Sequence, residues 1–328
     1  MKISYSEENI DRALDVLRQA LTDVPFAKLE IESPGTLELP DMRLLLETPA
    51  NRRVLAVKVL RSGEIRNVRA ALGGIFRIKA DLPEARFVIM APYISDRAAD
   101  LCINEGVSYC DLSGNCRLVL DPVFIRRDGL PNAFIKRRGL RTMFSPKAAR
   151  VLRVMLVGPH RTWRLQSLAD EARVSLGQVA KVKAALLERE WAIAGADGLI
   201  LTDPGAALEE WTGHHRFPRP LMQDYYSLDA VNEIESNLGT TCQANRLNWA
   251  LTSFSAAARL APQVRYQRVT AYVDGNLESV ADTLGLKKVS TGANVRLLVP
   301  GDEGVFYGTT DVAGQQIVSA VQCYLDLR

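Results

Sequence analysis

The spacing of apolar positions is most regular between Leu165 and Thr202. Leu165, Leu168, Ala169 and Ala172 follow the i, i+3, i+4, i+7 spacing of one helix face. Arg173-Val174 reads as a turn, and Ser175 offers a side-chain oxygen to cap the next helix. A second helix is predicted from about Leu176 to Glu190. At roughly 100° per residue, Val179, Val182, Leu186 and Leu187 gather on one side. Gly177, Gln178, Lys181, Ala184 and Glu188 lie on the other. Lys183 falls near the apolar side, so its stem should pack while its ammonium reaches water. A tight Gly195-Ala-Asp-Gly198 turn then separates Trp191-Ala-Ile-Ala194 from Leu199-Ile-Leu-Thr202, which predicts a hairpin.

Before this stretch, strand and helix patterns alternate. A helix is predicted over Glu7–Leu21, with Ile10, Ala13, Leu14, Leu17 and Leu21 apolar. Strands follow at Ala27–Glu32, Arg43–Glu47 and Arg53–Leu60, then a helix over Ile65–Phe76. Arg86–Ala91 reads as a buried strand and Asp96–Glu105 as a helix. Strands around Val107–Leu112 and Cys116–Leu120 flank a Ser113-Gly-Asn115 turn. Such alternation predicts an α/β layer with a central mixed sheet. After the hairpin, a linker is expected over Gly213–Pro220. An α+β region follows, with a helix at Asn248–Leu260 and strands at Arg268–Val273, Val295–Val299, Gly304–Tyr307 and Ile317–Val321. With 328 residues there is room for several cores. The expected division is an α/β domain over 1–140, a helical domain with a hairpin over 141–215, and an α+β domain over 216–328.

Two short helices joined by a turn and followed by a hairpin read as a winged helix-turn-helix, which lays its second helix in the DNA major groove. Reach to base edges without bulk is what that helix needs, so Ser175, Gly177, Gln178 and Lys181 are the expected base-reading residues. The net charge of +3 permits a nucleic-acid partner without requiring one. Placement says more. Arg126, Arg127, Lys136, Arg137, Arg138, Arg141, Lys147, Arg150 and Arg153 stand close together with only Asp128 opposing them. A solvated basic linker would show the same run. Beside this helix pair, however, phosphate contact is expected from Lys136, Arg137, Arg138, Arg141, Lys147, Arg150 and Arg161. The hairpin near Asp197-Gly198 is expected to touch the DNA backbone or minor groove. The expected partner is double-stranded DNA at an inverted repeat, bound by a homodimer or by two cooperating copies. The bland alternative is an amphipathic helix pair that docks a protein.

Five scattered cysteines without a CxxC pair or zinc spacing predict reduced thiols, and the His214-His215 pair reads as loop residues rather than a metal site. No cofactor and no metal is expected. There is no phosphate-binding Walker loop, dinucleotide fingerprint or nucleophile elbow. No run reaches membrane-span length and no signal-peptide core opens the chain, so a cytoplasmic protein is expected. The alternative function is a metal-dependent nuclease. The strands at Arg43–Glu47 and Arg53–Leu60, followed by a helix, resemble the restriction-endonuclease-like core, in which two carboxylates hold a cation beside a lysine. Lys58 occupies the lysine position, but Ala56 stands where the second acid should be, and neither Asp41 nor Glu47 aligns convincingly. The expectation is therefore a degenerate, inactive domain. The Asp111–Asn115 turn is expected to be structural, its Gly114-Asn115 step tolerating positive φ.

Three motifs resemble the AbiEi-type antitoxin and transcriptional-regulator family of type IV toxin–antitoxin systems: Gly106–Arg117, Leu168–Val182 and Val318–Leu327. The stretches Trp249–Ala258 and Gly292–Pro300 fit the same family. This resemblance implies a DNA-binding repressor of its own operon. It also implies an antitoxin that opposes a nucleotidyltransferase-like toxin without a stable complex. The implied architecture is a degenerate endonuclease-like domain, a winged helix and a C-terminal regulatory domain. The DNA-reading role carries to Ser175, Gly177, Gln178 and Lys181. Two features depart from the pattern: Ala56 replaces an acid, and the chain stops at Leu327-Arg328 where family members often continue into another helix.

Overall fold

The structure, a computed structural model, describes residues 7–22, 24–32, 40–134, 143–215, 222–263 and 265–328. Lys136, Arg137, Arg138 and Arg141 lie outside the described residues. The chain divides into two compact units, one of residues 1–138 with 188–190, the other of residues 139–187 with 191–328.

The first unit is a three-layer α/β arrangement. Its elements in order are α1 (Glu7–Leu21), β1 (Lys28–Glu32), β2 (Met42–Glu47), β3 (Arg52–Val59), α2 (Ile65–Ile78), β4 (Arg86–Ala91), α3 (Asp96–Asn104), β5 (Ser108–Asp111), β6 (Cys116–Val119) and β7 (Phe124–Arg127). The seven strands lie side by side in chain order. Only the β3–β4 and β4–β5 pairings are parallel, and each of these is bridged by a helix. Side chains alternate across the sheet, as a strand's period of two requires. Leu55, Val57, Val88 and Met90 pack with α1, while Ala56, Phe87 and Ile89 pack with α2 and α3. The mixed sheet expected from the sequence is thus present, with β7 as an added edge strand.

The turn after β5 has a structural explanation. The buried Asp111 carboxylate accepts N–H bonds from Ile94, Ser113 and Asn115, and a further bond from the Asn115 side chain. Asn115 also holds the backbone of Leu130 from both sides. A second local feature corrects the sequence reading. Asp41 does align with Lys58: its Oδ1 lies 2.9 Å from Lys58 Nζ, and its Oδ2 accepts the Val59 N–H at 2.7 Å. Asp41 lies just before β2, and pairing of Asp41 with Val57 across the backbone brings it there. Ala56 on the same strand offers no second carboxylate.

The second unit begins with α4 (Pro146–Val157), α5 (Leu165–Glu171), α6 (Leu176–Glu188), the hairpin strands β8 (Ala192–Gly195) and β9 (Gly198–Leu201), and α7 (Pro204–His214). The rest is an α+β layer: β10 (Met222–Tyr226), α8 (Val231–Ala244), β11 (Trp249–Leu251), α9 (Ser253–Leu260), β12 (Val269–Val273), α10 (Leu277–Thr283), β13 (Lys287–Lys288), β14 (Val295–Leu298), a 3-10 turn at Glu303–Phe306, β15 (Thr310–Val312), β16 (Gln315–Ile317) and α11 (Ala320–Leu327). Its strands run β13-β10-β14-β12-β11-β16-β15, a mixed sheet. The core gathers Leu238, Trp249, Leu251, Val273, Leu297 and Ile317.

Four expectations fail here. The helix predicted over Asn248–Leu260 starts only at Ser253. Trp249–Leu251 are all buried and pair with β12 on one side and β16 on the other, so sheet pairing overrides the helical pattern. Ser253 then turns the chain into the helix with a φ of 51°. The strand expected at Gly304–Tyr307 is the 3-10 turn, capped by the Asp302 carboxylate on the Gly304 N–H. The strand expected at Ile317–Val321 ends at Ile317, because the Ser319 side chain caps α11. The linker expected from Gly213 starts later, as α7 continues to His214. At Gly239, in the unpredicted α8, an added Cβ would sit 2.9 Å from the Trp249 ring. Among the described residues no helix is long and apolar enough to cross a membrane. The five cysteines are free and buried, and burial pushes the Cys102 and Cys242 thiols up to about 12.

Candidate nucleic-acid interface

Helices α4, α5 and α6 share one core with the hairpin. Leu152 and Met155 from α4, Leu168 and Ala169 from α5, and Val179, Val182 and Leu186 from α6 are buried together with Trp163, Trp191, Leu199 and Leu201. The predicted apolar face of α6 is therefore the packed one, and Lys183 is half-buried. The hairpin gains a third strand position from Trp163, which exchanges backbone bonds with Leu199 at 2.7 and 2.9 Å. Gly198 has a φ of 138°, and an added Cβ would lie 2.5 Å from the Trp163 carbonyl oxygen. A close backbone approach explains the glycine there.

Between α5 and α6 the chain reverses at Arg173, whose φ is 52°. Ser175 receives the Gln178 N–H on its hydroxyl at 3.3 Å, the N-cap bond expected from the sequence. Ser175, Gly177 and Lys181 are exposed and Gln178 is half-buried. A cleft of about 430 Å³ at this end of α6 is lined by Lys147, Asp170, Arg173, Ser175 and Gln178. So Lys147, from α4, stands beside two of the residues expected to read bases. No ion pair engages Lys147, Lys181 or Arg161 among the described residues; Arg161 lies over the Trp163 ring, 3.8 Å from its centroid. Arg173 was read only as a turn residue. Its place in the cleft depends on the left-handed backbone, which the sequence signals only through the break in helical spacing. At the hairpin tip Asp197 is exposed, and a phosphate would repel its carboxylate.

Arg150 does not face outward, contrary to the expectation of phosphate contact. Its Nε and Nη2 each lie 2.7 Å from an Asp302 oxygen, and its Nη1 lies 2.6 Å from Glu303. The acids come from a turn more than 150 residues later, so no local pattern announces the pair. Tyr307 adds a bond to Glu171 at 2.8 Å. These contacts fix the helical part of the unit to its α+β part.

Burial pushes the Asp302 carboxyl up, but the bonds from Arg150 and the Gly304 N–H outweigh this and leave it below its ordinary value. A lowered carboxyl contributes stability above its unfolded pKa, about 3.9, and loses that contribution as pH falls through the folded value. Asp302→Asn is expected to cost about 2 kcal/mol at pH 6. The difference from the parent chain should shrink at pH 3, as read by urea unfolding at both pH values.

A second buried link lies deeper. Arg153 on α4 is 4% exposed, and burial lowers its pKa to about 10. Its guanidinium donates to Gln322 on α11 and stacks 5.0 Å from the Trp211 centroid. Gln322 in turn donates to Asp326 at 2.7 Å. The Asp326 carboxylate also accepts from the Thr252 and Tyr272 hydroxyls and meets His215 Nε2 at 3.0 Å. His215, expected as a solvated loop residue, is thus engaged in a partly buried network. Only Gln322 and Asp326 share an element, α11; Arg153, His215, Thr252 and Tyr272 come from distant parts of the chain, so sequence spacing gives no sign of the network.

Residues 201–328 match the family described as transcriptional regulator, AbiEi antitoxin, type IV toxin–antitoxin system. The resemblance read from the sequence therefore holds over this part of the chain. The match takes in Trp249–Ala258, Gly292–Pro300 and Val318–Leu327, and it stops short of α5 and α6. No curated protein matches the chain. Among solved structures the chain is similar to a complex of EndoMS with double-stranded DNA, at 12% identity, covering 34% of this chain and 46% of that one, with a TM-score of 0.25. It is similar to a repair endonuclease from Pyrococcus abyssi at 12% identity, covering 40% and 50%, with a TM-score of 0.25. It is also similar to EndoMS in its apo form at 17% identity, covering 33% and 46%, with a TM-score of 0.20. The chain spans half or less of the length of these structures.

Proposed function

We propose that this protein is a sequence-specific DNA-binding transcriptional repressor, the antitoxin of a type IV toxin–antitoxin system acting on its own operon. The observation that carries the reading is the exposed side of α6. It presents an amide, a cation and small residues, and unpaired basic groups flank it. Helices α4 to α6 with the Trp163-bridged hairpin are read as a winged helix-turn-helix. Gln178, Lys181 and Ser175 read bases, with Gly177 letting the backbone approach. Lys147 and Arg161 hold phosphates, joined by Arg173 in the cleft, whose exposed guanidinium keeps only a 3.8 Å contact with Glu303, and by Lys136, Arg137, Arg138 and Arg141 in the basic run. Arg150 is left out of this set because its charge is already matched. The family match over 201–328 supports the regulatory assignment. Two copies on an inverted repeat, and a functional link to a nucleotidyltransferase-like toxin without a stable complex, complete the proposal. A gel-shift titration of DNA from upstream of the protein's own gene against random DNA tests it. A shift at lower protein concentration on the upstream duplex is expected. Absence of any shift on either duplex at low salt would sink the DNA-binding claim.

The nuclease alternative rests on the Asp41–Lys58 contact. Both Asp41 oxygens are already bonded, and Ala56 leaves the cation one carboxylate short. Supercoiled plasmid incubated with Mg²⁺ or Mn²⁺ is expected to stay uncut. Cleavage that disappears in Lys58→Ala would replace the proposed function with this one.

A further inference from the structure

We infer that the C-terminal sheet carries a second binding site, for a nucleoside phosphate, in the cleft where α9 begins beside β12 and β14. This site is separate from the α6 surface and does not depend on the DNA-binding proposal. The cleft has a volume of about 690 Å³ and is lined by Ser253, Phe254, Arg265, Arg268, Asn294 and Arg296, among others. That is the size of a small-ligand pocket.

Its charge is unbalanced. Arg296 is matched by Asp224 through two bonds, at 2.7 and 2.9 Å. The Asp326 carboxylate, which also borders the cleft, is taken up by its own donors. Glu235 is matched by Arg259 and Tyr266. Arg265 and Arg268 remain. Both are exposed and neither makes an ion pair among the described residues, although the Arg268 charge helps Arg296 hold the Asp224 carboxyl below its ordinary value. Arg268 spends only its Nε, on the Ala293 carbonyl at 3.1 Å, which orients the guanidinium and leaves its terminal N–H groups free. Two forked guanidiniums at the mouth of one cleft suit a phosphate, which accepts paired N–H bonds.

Two further features narrow the ligand. The first residues of α9 line the same cleft, and their N-terminal amides have no side-chain cap. Those amides add donors on the side where negative charge is favoured. Phe254, the second residue of the helix, is 51% exposed. An aromatic face held at the cleft costs hydration, and a planar base stacked on it would recover that surface. A bare phosphate would leave Phe254 unused, and a bare nucleoside would leave both arginines unused.

Isothermal titration of the full chain, with EDTA present and no DNA, tests the inference. The probes are the four ribonucleoside triphosphates, inorganic phosphate and adenosine. At least one triphosphate is expected to bind about tenfold more tightly than phosphate or adenosine. Arg265→Ala with Arg268→Ala is expected to weaken that triphosphate by about tenfold or more. Phe254→Ala should bring its affinity toward that of inorganic phosphate. All these side chains are at the surface, so near-UV circular dichroism should show the variants folded. Failure of every probe to bind at millimolar concentration would overturn the inference. So would a triphosphate affinity unchanged in the double arginine variant, or inorganic phosphate binding as tightly as any triphosphate.

Discussion

Asp326→Ala is expected to destabilise the second unit by about 3–5 kcal/mol, the cost typical of breaking a buried charged network from one side. The carboxylate is the shared acceptor for Thr252, Tyr272 and Gln322 and meets His215. Without it, two hydroxyls and an amide lose their acceptor in the interior. Gln322 would also lose the contact that orients its carbonyl toward Arg153, a cation that is 4% exposed and has no other bonded acceptor shown for its Nη2. Burial already lowers the Arg153 pKa to about 10, which marks how little solvent reaches it. Urea unfolding followed by tryptophan fluorescence reads the effect directly, since Trp211 stacks on Arg153. Asp326→Asn keeps one acceptor oxygen, enough for Tyr272 and Gln322, and should cost less. A loss below about 1 kcal/mol in Asp326→Ala would mean that water replaces the carboxylate and that the network is not what joins α4 to α11.

Lys181→Ala is expected to cost about 1–3 kcal/mol on the specific duplex, a roughly 5- to 150-fold loss of affinity, and little on random DNA. Lys181 is exposed and unpaired one turn after Ser175–Gln178, so no internal bond is broken by its removal. Stability should therefore stay unchanged. Gln178→Ala should show the same selectivity for the specific duplex. Lys147→Ala should differ in kind: its ammonium lies beside the cleft rather than along the outer side of α6, so affinity should fall about equally on both duplexes. Anisotropy titrations with two labelled duplexes separate these outcomes. Equal losses on both duplexes for Lys181→Ala would reassign it to phosphate.

What the sequence made legible was local. The α5–turn–α6 segment and the hairpin could be read because each buries one periodic face, and Ser175, Gly195 and Gly198 punctuate them. The alternation of strands and helices gave the first unit for the same reason. Elements decided by distant partners were not legible. Trp249–Leu251 reads as part of a helix until β12 and β16 flank it. The helix α8 was hidden because Glu235 and Gly239 interrupt its buried face between Ile234, Leu238 and Cys242. At the candidate interface, residue type alone could not separate Lys147 from Arg150. The first is exposed and the second is held by Asp302 and Glu303, a distinction made by a turn far along the chain. Arg173 entered the cleft through a backbone conformation rather than through spacing.

The central claim is that the exposed side of α6 enters duplex DNA. Its most direct test is the affinity of the full chain for the upstream duplex and for random DNA across a salt series. Tighter binding to the upstream duplex is predicted, with log K falling linearly against log salt on both. Lys147→Ala should lower that slope by about one on both duplexes. Affinity that is equal for the two duplexes and indifferent to salt would contradict the account.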